Sequence, residues 1–281
     1  MNKITFRVPA TSANLGPGYD CLGVALQLYN RVSVARAQVS PEEQPMMADV
    51  AEKFFAAAGV TPFPFSCTVT GEVPRSRGLG SSVTVRLGLL HGLNALAGRP
   101  LGAVRLFQLC AELEGHPDNA APGAFGGFTV AGGNEVARFE VSPALRFVLL
   151  IPDFEVSTPA ARRVLPEQLD RVAAVQSCAN ACRITAAFAS KNYALLRGAF
   201  TDHLHQPYRE KELIPFLSRV IAAGEEAGAL GGFLSGSGST ICCVTLDDAA
   251  FVSSAMLAAA GLPGARTIIA APDNKGVRVH R

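Results

Sequence analysis

The sequence predicts a mixed α+β protein built in two layers. Three observations predict it: segments in which apolar and polar residues alternate, segments in which apolar residues recur every three or four positions, and Pro152, which closes an apolar strand near mid-chain. Ile4, Phe6 and Val8 alternate with Thr5 and Arg7, and Val32, Val34 and Val39 form a similar segment, so both are expected as half-buried strands. Residues 10–20, ATSANLGPGYD, are expected as the loop between them. Met47, Val50, Ala51, Phe54, Phe55 and Ala58 keep helical spacing and stop at Gly59, and 65–70 follows as a strand. A glycine-rich turn at 78–82 runs directly into a helix ending near Gly98, and a second helix over 102–114 stops at Gly115. Residues 146–151 make an apolar strand. Beyond Pro152, helices are expected near 167–189, 191–201 and 211–227, then strands at 233–234, 241–245 and 266–270 around a helix at 247–260. Domains of 1–151 and 152–281 follow from the break at Pro152.

Composition narrows the function. With 25 basic and 23 acidic residues among 281, the formal charge of +2 excludes a strong electrostatic footprint for nucleic acid. The longest uncharged stretch, 227–246, has the length of a membrane span but is full of Gly, Ser and Thr, and is expected as a loop plus a buried strand. The start, MNKITFRVPA, lacks the apolar core of a signal peptide, so a cytoplasmic protein is expected. Seven cysteines without C-x-x-C spacing are expected to be reduced and mostly buried, with Cys242 and Cys243 on opposite faces of one strand. The five histidines show no zinc spacing. Glycine is enriched, at about 10% against a usual ~7%, and it is clumped.

The clumps carry the chemistry. Gly78-Leu79-Gly80-Ser81-Ser82 opens a helix, where unpaired N–H groups and a partial positive charge favour an anion and serine hydroxyls can hold phosphate or Mg²⁺. No lysine follows as a Walker A loop requires, and Val83 stands where a Rossmann fingerprint needs its third glycine. A second cluster, Leu234 to Thr240, reads LSGSGST and suits the other side of one anion site. In the third, Glu112 and Glu114 end a helix before Gly115-His116-Pro117-Asp118-Asn119; carboxylates there oppose the helix dipole and are easier to explain with a cation nearby.

Together these segments resemble the GHMP small-molecule kinases and, among them, the homoserine kinase branch. The superfamily's P-x-x-x-G-L-G-S-S motif is matched by Pro74-Arg75-Ser76-Arg77-Gly78-Leu79-Gly80-Ser81-Ser82. The branch's T-S-A-N-L-G-x-G-[FY]-D is matched by 11–20, G-H-P-D-N-x-A-P by 115–122, S-T-x-x-A-R-x-x-L-P by 157–166, and H-[EQ]-P-Y-R with a following L-I-P by 205–209 and 213–215. The resemblance implies a ribosomal-protein-S5-domain-2-like N-terminal half, a ferredoxin-like C-terminal half, ATP and Mg²⁺, and L-homoserine as the phosphoryl acceptor; it leaves a homodimer open.

Residue by residue, the resemblance implies nucleotide contacts along 74–82, at Val83 and Thr84, and at Gly236 and Gly238. It implies that Asn14, Asp20, Asn119, Arg162 and Arg209 hold the amino acid, with Asp20 taking the ammonium and the arginines the carboxylate. Ser82, Thr158 and Asn119 would carry the transfer, with Ser82 and either Glu112 or Glu114 facing Mg²⁺. Related kinases place an aspartate base where this branch has Asn119, so catalysis by positioning and charge neutralisation is expected, with Asp118 as the fallback base. The chain departs from the pattern at Val83-Thr84-Val85-Arg86, where small residues are usual, at Pro159 in place of Lys, and at Ser239 in place of Pro. Two other readings share the loops: a GHMP kinase for another small alcohol, whose substrate would lack an amino-acid head, and a catalytically weak binder.

Overall fold

The computed structural model describes residues 2–38, 45–133 and 135–280. The first half is a six-stranded antiparallel sheet backed by helices. Strand β1 (Lys3–Ala13) pairs with β2 (Leu22–Arg36), and β2 is long enough to take β4 (Phe128–Gly132) on its early residues and β3 (Phe65–Gly71) on its later ones. β5 (Glu135–Phe139) extends the sheet beyond β4. The loop expected over 10–20 is shorter than that: β1 continues to Ala13, because a bulge between Pro9 and Ala10 resets the register and lets Ala10–Ala13 pair with 23–26. Val39 lies outside the described residues.

Helices α1 (Pro45–Ala58), α2 (Ser81–Leu96) and α3 (Ala103–Glu114) cover one face of this sheet, where Phe54, Leu87, Leu90 and Phe107 pack against Val8, Val32 and Val34. A one-turn helix, α4 (Ala120–Phe125), links α3 to β4.

The second half is a four-stranded antiparallel sheet in the order β7 (Gly231–Leu234), β8 (Ile241–Thr245), β6 (Arg146–Ile151), β9 (Arg266–Ala270). The expected break at Pro152 follows β6, which belongs to this second sheet, while β10 (Arg278–Val279) returns to pair with β1. Each sheet is one layer with helices as the other. α8 (Leu217–Glu226) and α9 (Ala249–Ala260) cover the outer face of the second sheet, and a shared cluster containing Leu26, Phe128, Phe147, Leu149 and Phe188 joins its inner face to the first. Alternation assigns Cys242 to that shared cluster and Cys243 to the outer one, as the strand period requires.

Between β6 and β7 the chain runs through α5 (Thr158–Arg163), α6 (Arg171–Ser190), a 3-10 turn (Tyr193–Leu196) and α7 (Gln206–Glu212) before α8. Two expected helices therefore change. Over 191–201 only the 3-10 turn forms, and 211–227 is broken because Pro215 supplies no N–H to a continuous helix. The stretch 227–246 holds two strands joined by a glycine turn. Cysteine burial is lower than expected: Cys110, Cys242 and Cys243 are buried, Cys21 and Cys67 partly so, and Cys178 and Cys182 lie exposed on α6. Among the described residues no helix is long and apolar enough to cross a membrane.

Candidate active site

The two glycine loops meet. Ser235 Oγ donates to Gly78 O at 2.6 Å, Thr240 N–H to Arg77 O at 3.2 Å, and Gly236 N–H to Ala13 O at 3.0 Å, so the β7–β8 turn, the start of α2 and the end of β1 form one seam. Gly78 and Gly80 both hold the left-handed backbone, with φ of 73° and 64°. A Cβ on either would lie 2.0 Å from a neighbour, Ser235 O for Gly78 and Thr11 Oγ1 for Gly80. Among the described residues no side chain caps the start of α2 at Gly80, so its first N–H groups keep their hydrogen-bonding capacity for an anion. These groups border a cleft of about 640 Å³, within the ~300–1,000 Å³ typical of small-molecule sites.

At the other end of the cleft the charges pair among themselves. Arg162 Nη2 donates to both carboxylate oxygens of Asp20, at 2.8 and 3.0 Å. Both side chains are about 40% and 34% exposed, and a pair of that kind contributes only ~0–1 kcal/mol, so a ligand opens it at little cost. Arg209 is the opposite case, buried and fixed. Its Nε donates to Ala161 O at 3.1 Å and its Nη1 to Gly236 O at 2.8 Å and His205 Nδ1 at 3.1 Å, leaving Nη2 for the cleft. Asn14 ties this end to the seam between the glycine loops: its Nδ2 donates to Gly236 O at 3.0 Å, while its Oδ1 accepts from Asp20 N–H at 3.0 Å.

Asn119 is held from two sides. Thr11 Oγ1 donates to its Oδ1 at 2.7 Å, and its Nδ2 donates to Asp118 Oδ1 at 3.3 Å, which leaves one acceptor lone pair and one N–H for a ligand. Asp118, buried, spends the same oxygen on Asn119 N–H and on His116 Nδ1 at 2.6 Å. That hydrogen bond raises the pKa of His116 against the opposing effect of burial.

The glutamates separate cleanly. Glu114 lines the cleft, accepts from Ser82 Oγ at 3.1 Å through Oε2 and ion-pairs through Oε1 with Arg86. Glu112 is a correction: it faces solvent, bridged to Lys53 at 2.8 Å and Arg105 at 2.9 Å, because residues two apart on a helix point about 200° away from each other. The cations expected near the end of α3 are thus protein side chains for both acids. Three nucleotide candidates also fall outside the cleft. Thr84 is fully buried and bonded to Asn30 and to Ser81 O, Gly238 faces Ile214 and Leu234, and Pro74 borders a separate pocket. The rest of the 75–83 stretch, Gly236 and Thr158, on the first turn of α5, lie on the cleft wall.

Two residues emerge only in three dimensions. Tyr19 lies 5.5 Å from both the Arg162 and the Arg209 guanidinium, and its hydroxyl is buried with no hydrogen-bond partner among the described residues, the condition a polar ligand would relieve. The aromatic slot in the first motif was the available signal. His205, fully buried, donates from Nε2 to Gly16 O at 2.8 Å and accepts from Arg209 at Nδ1, so it orients both walls as a neutral imidazole. Burial holds its pKa down to about 4. Its unfolded pKa is near 6.5, so the stability it contributes is present above that value and lost as pH falls towards 4, by up to about 3 kcal/mol. Thermal unfolding between pH 6.5 and 4 should therefore fall more steeply for the native chain than for His205→Gln; equal slopes would contradict the neutral assignment.

The family model for the GHMP kinases N terminal domain matches residues 46–127, and that for GHMP kinases C terminal matches 184–261. A homoserine kinase of Moorella thermoacetica is 38% identical over 97% of this chain and 98% of its own length. One from Synechococcus sp. is 41% identical over 88% of this chain and 87% of its own. The crystal structure of homoserine kinase from Cytophaga hutchinsonii superposes with a TM-score of 0.90 at 25% identity, covering 100% of this chain and 98% of that one.

Proposed function

Because the chain belongs to the homoserine kinases of the GHMP kinase family, we infer that it transfers the γ-phosphoryl group of ATP to the side-chain hydroxyl of L-homoserine, forming O-phospho-L-homoserine and ADP on the way to threonine. The observation that carries the substrate assignment is the weakly held Asp20–Arg162 pair beside rigid Arg209, at one end of a cleft whose other end is an anion-binding helix start. An amino-acid head is a carboxylate and an ammonium on one carbon. Inserted between Asp20 and Arg162, it replaces each charge's partner with one of the same sign, so neither side chain is stranded on binding or release.

Each group then has one task. Asp20 takes the ammonium, and the planar forks of Arg162 and Arg209 take the carboxylate. The spare lone pair of Asn119 orients the attacking hydroxyl. The N–H groups at the start of α2, with Ser82, hold the triphosphate. Ser82 Oγ and Glu114 Oε2 are hard oxygens converging at the cleft wall, a donor set that fits Mg²⁺ carried in by the nucleotide; when bound it neutralises charge on the β- and γ-phosphates. Asp118 is engaged with His116 and Asn119, which favours transfer without a dedicated carboxylate base, the hydroxyl proton leaving to a phosphoryl oxygen or solvent.

A coupled ADP-release assay with Mg-ATP tests the reading. Homoserine should support turnover, and threonine, serine and mevalonate should be poor; turnover of mevalonate but not homoserine would overturn the substrate. In the same assay Asn119→Ala should lose more activity than Asp118→Asn, and abolition by Asp118→Asn alone would restore Asp118 as the base.

A further inference from the structure

Arg86 does not line the cleft, but it holds a residue that does, Glu114, and the transfer chemistry leaves it unused. It lies on α2 one turn beyond Ser82, and its Nη1 ion-pairs with Oε1 of Glu114, the carboxylate whose other oxygen accepts from Ser82. The two side chains are 17% and 11% exposed, so water screens the pair poorly. Nε of Arg86 is buried without a partner among the described residues, so the guanidinium is committed to this one carboxylate instead of being shared among several acceptors.

We propose that Arg86 is a positioning residue that makes divalent-cation binding at Glu114 depend on the nucleotide. The proposal rests on the reading of Glu114 as the carboxylate that faces the nucleotide's Mg²⁺. Glu114 has its charge countered before any metal arrives, and a protein site with one neutralised carboxylate and one hydroxyl is too poor in negative charge to strip water from a free divalent ion. ATP brings the missing charge on its phosphates, so cation and nucleotide enter together. By fixing Oε1, Arg86 also leaves Oε2, which among the described residues accepts only from Ser82, as the oxygen with a lone pair to offer a metal. Without Arg86 the same carboxylate would be a buried, unpaired anion next to a hydroxyl, and would take up a metal ion by itself.

Mn²⁺ binding to nucleotide-free protein, followed by electron paramagnetic resonance of the free ion, tests this without any turnover. The native chain and Arg86→Lys, which keeps the positive charge, should bind weakly. Arg86→Met and Arg86→Gln should bind on the order of tenfold or more tightly, and adding Glu114→Gln to Arg86→Met should abolish the gain. Near-ultraviolet circular dichroism selects the variants that keep the native fold, and Arg86→Gln carries the test if Arg86→Met does not fold. Native-like Mn²⁺ affinity in a folded, uncharged Arg86 variant, or a gain that survives Glu114→Gln, overturns the proposal. Failure of homoserine-dependent ADP release would instead strike the function and leave this measurement standing.

Discussion

Asp20→Ala should lower kcat/KM for homoserine on the order of a hundredfold while leaving nucleotide affinity close to that of the native chain. The carboxylate is the acid that pairs with Arg162 in the cleft, and a charge-assisted hydrogen bond to the substrate ammonium contributes about 1.5–3 kcal/mol, or roughly one to two decades in rate. The ammonium is remote from the reacting hydroxyl and is bound alike in ground and transition states, so most of the loss should fall in KM. Asn14 contacts Asp20 only through the backbone N–H of residue 20, which the substitution retains, so its bond to Gly236 O and the seam between the glycine loops should persist. Steady-state kinetics with titration of a fluorescent ATP analogue separate the two ends of the cleft. A kcat/KM for homoserine within a factor of about three of the native value would remove Asp20 from substrate binding.

Gly78→Ala should weaken ATP binding by on the order of tenfold or more and lower stability by about 1–3 kcal/mol. The residue holds φ at 73°, and its new methyl would lie 2.0 Å from Ser235 O and 2.9 Å from Gly238 N, both backbone atoms that no rotamer can move aside. Relief requires the two glycine loops to separate, which breaks the bonds from Ser235 Oγ to Gly78 O and from Thr240 N–H to Arg77 O and misaligns the N–H groups at the start of α2. Gly98→Ala is the control: its φ of 86° carries the backbone strain, but nothing lies within 4 Å of the added methyl. Native nucleotide affinity in Gly78→Ala, measured by calorimetry beside thermal unfolding of both variants, would show that the seam does not shape the phosphate site.

Legibility varied with the range of the forces involved. The starts of α2 and α3, their ends near Gly98 and Gly115, and the strands on either side of the second glycine loop were all readable, because caps, breakers and period-two burial act within a few residues. The extension of β1 through Ala13 was not, since its partners Gly23 to Leu26 are set by pairing across a bulge. A small-residue run such as ATSA has no local preference that announces a strand. The break between α7 and α8 falls at Pro215, inside the stretch expected as one helix over 211–227.

The site divides in the same way. From the sequence follow the kinase family, through the resemblance of its ordered motifs, and the residue types that suit an anion and an amino-acid head, because residue chemistry is a local property of the chain. Only the tertiary structure decided that Glu114 and not Glu112 faces Ser82, that Thr84 turns away to Asn30, and that Asp20 meets Arg162 across 142 residues. Helix rotation settles the first two: a side chain's direction changes by about 100° per residue, and the packing of α2 and α3 on the sheet chooses which direction is the cleft. The third depends on the shared core that holds the two sheets together, since charges that far apart in the chain become neighbours only after that apolar surface is buried.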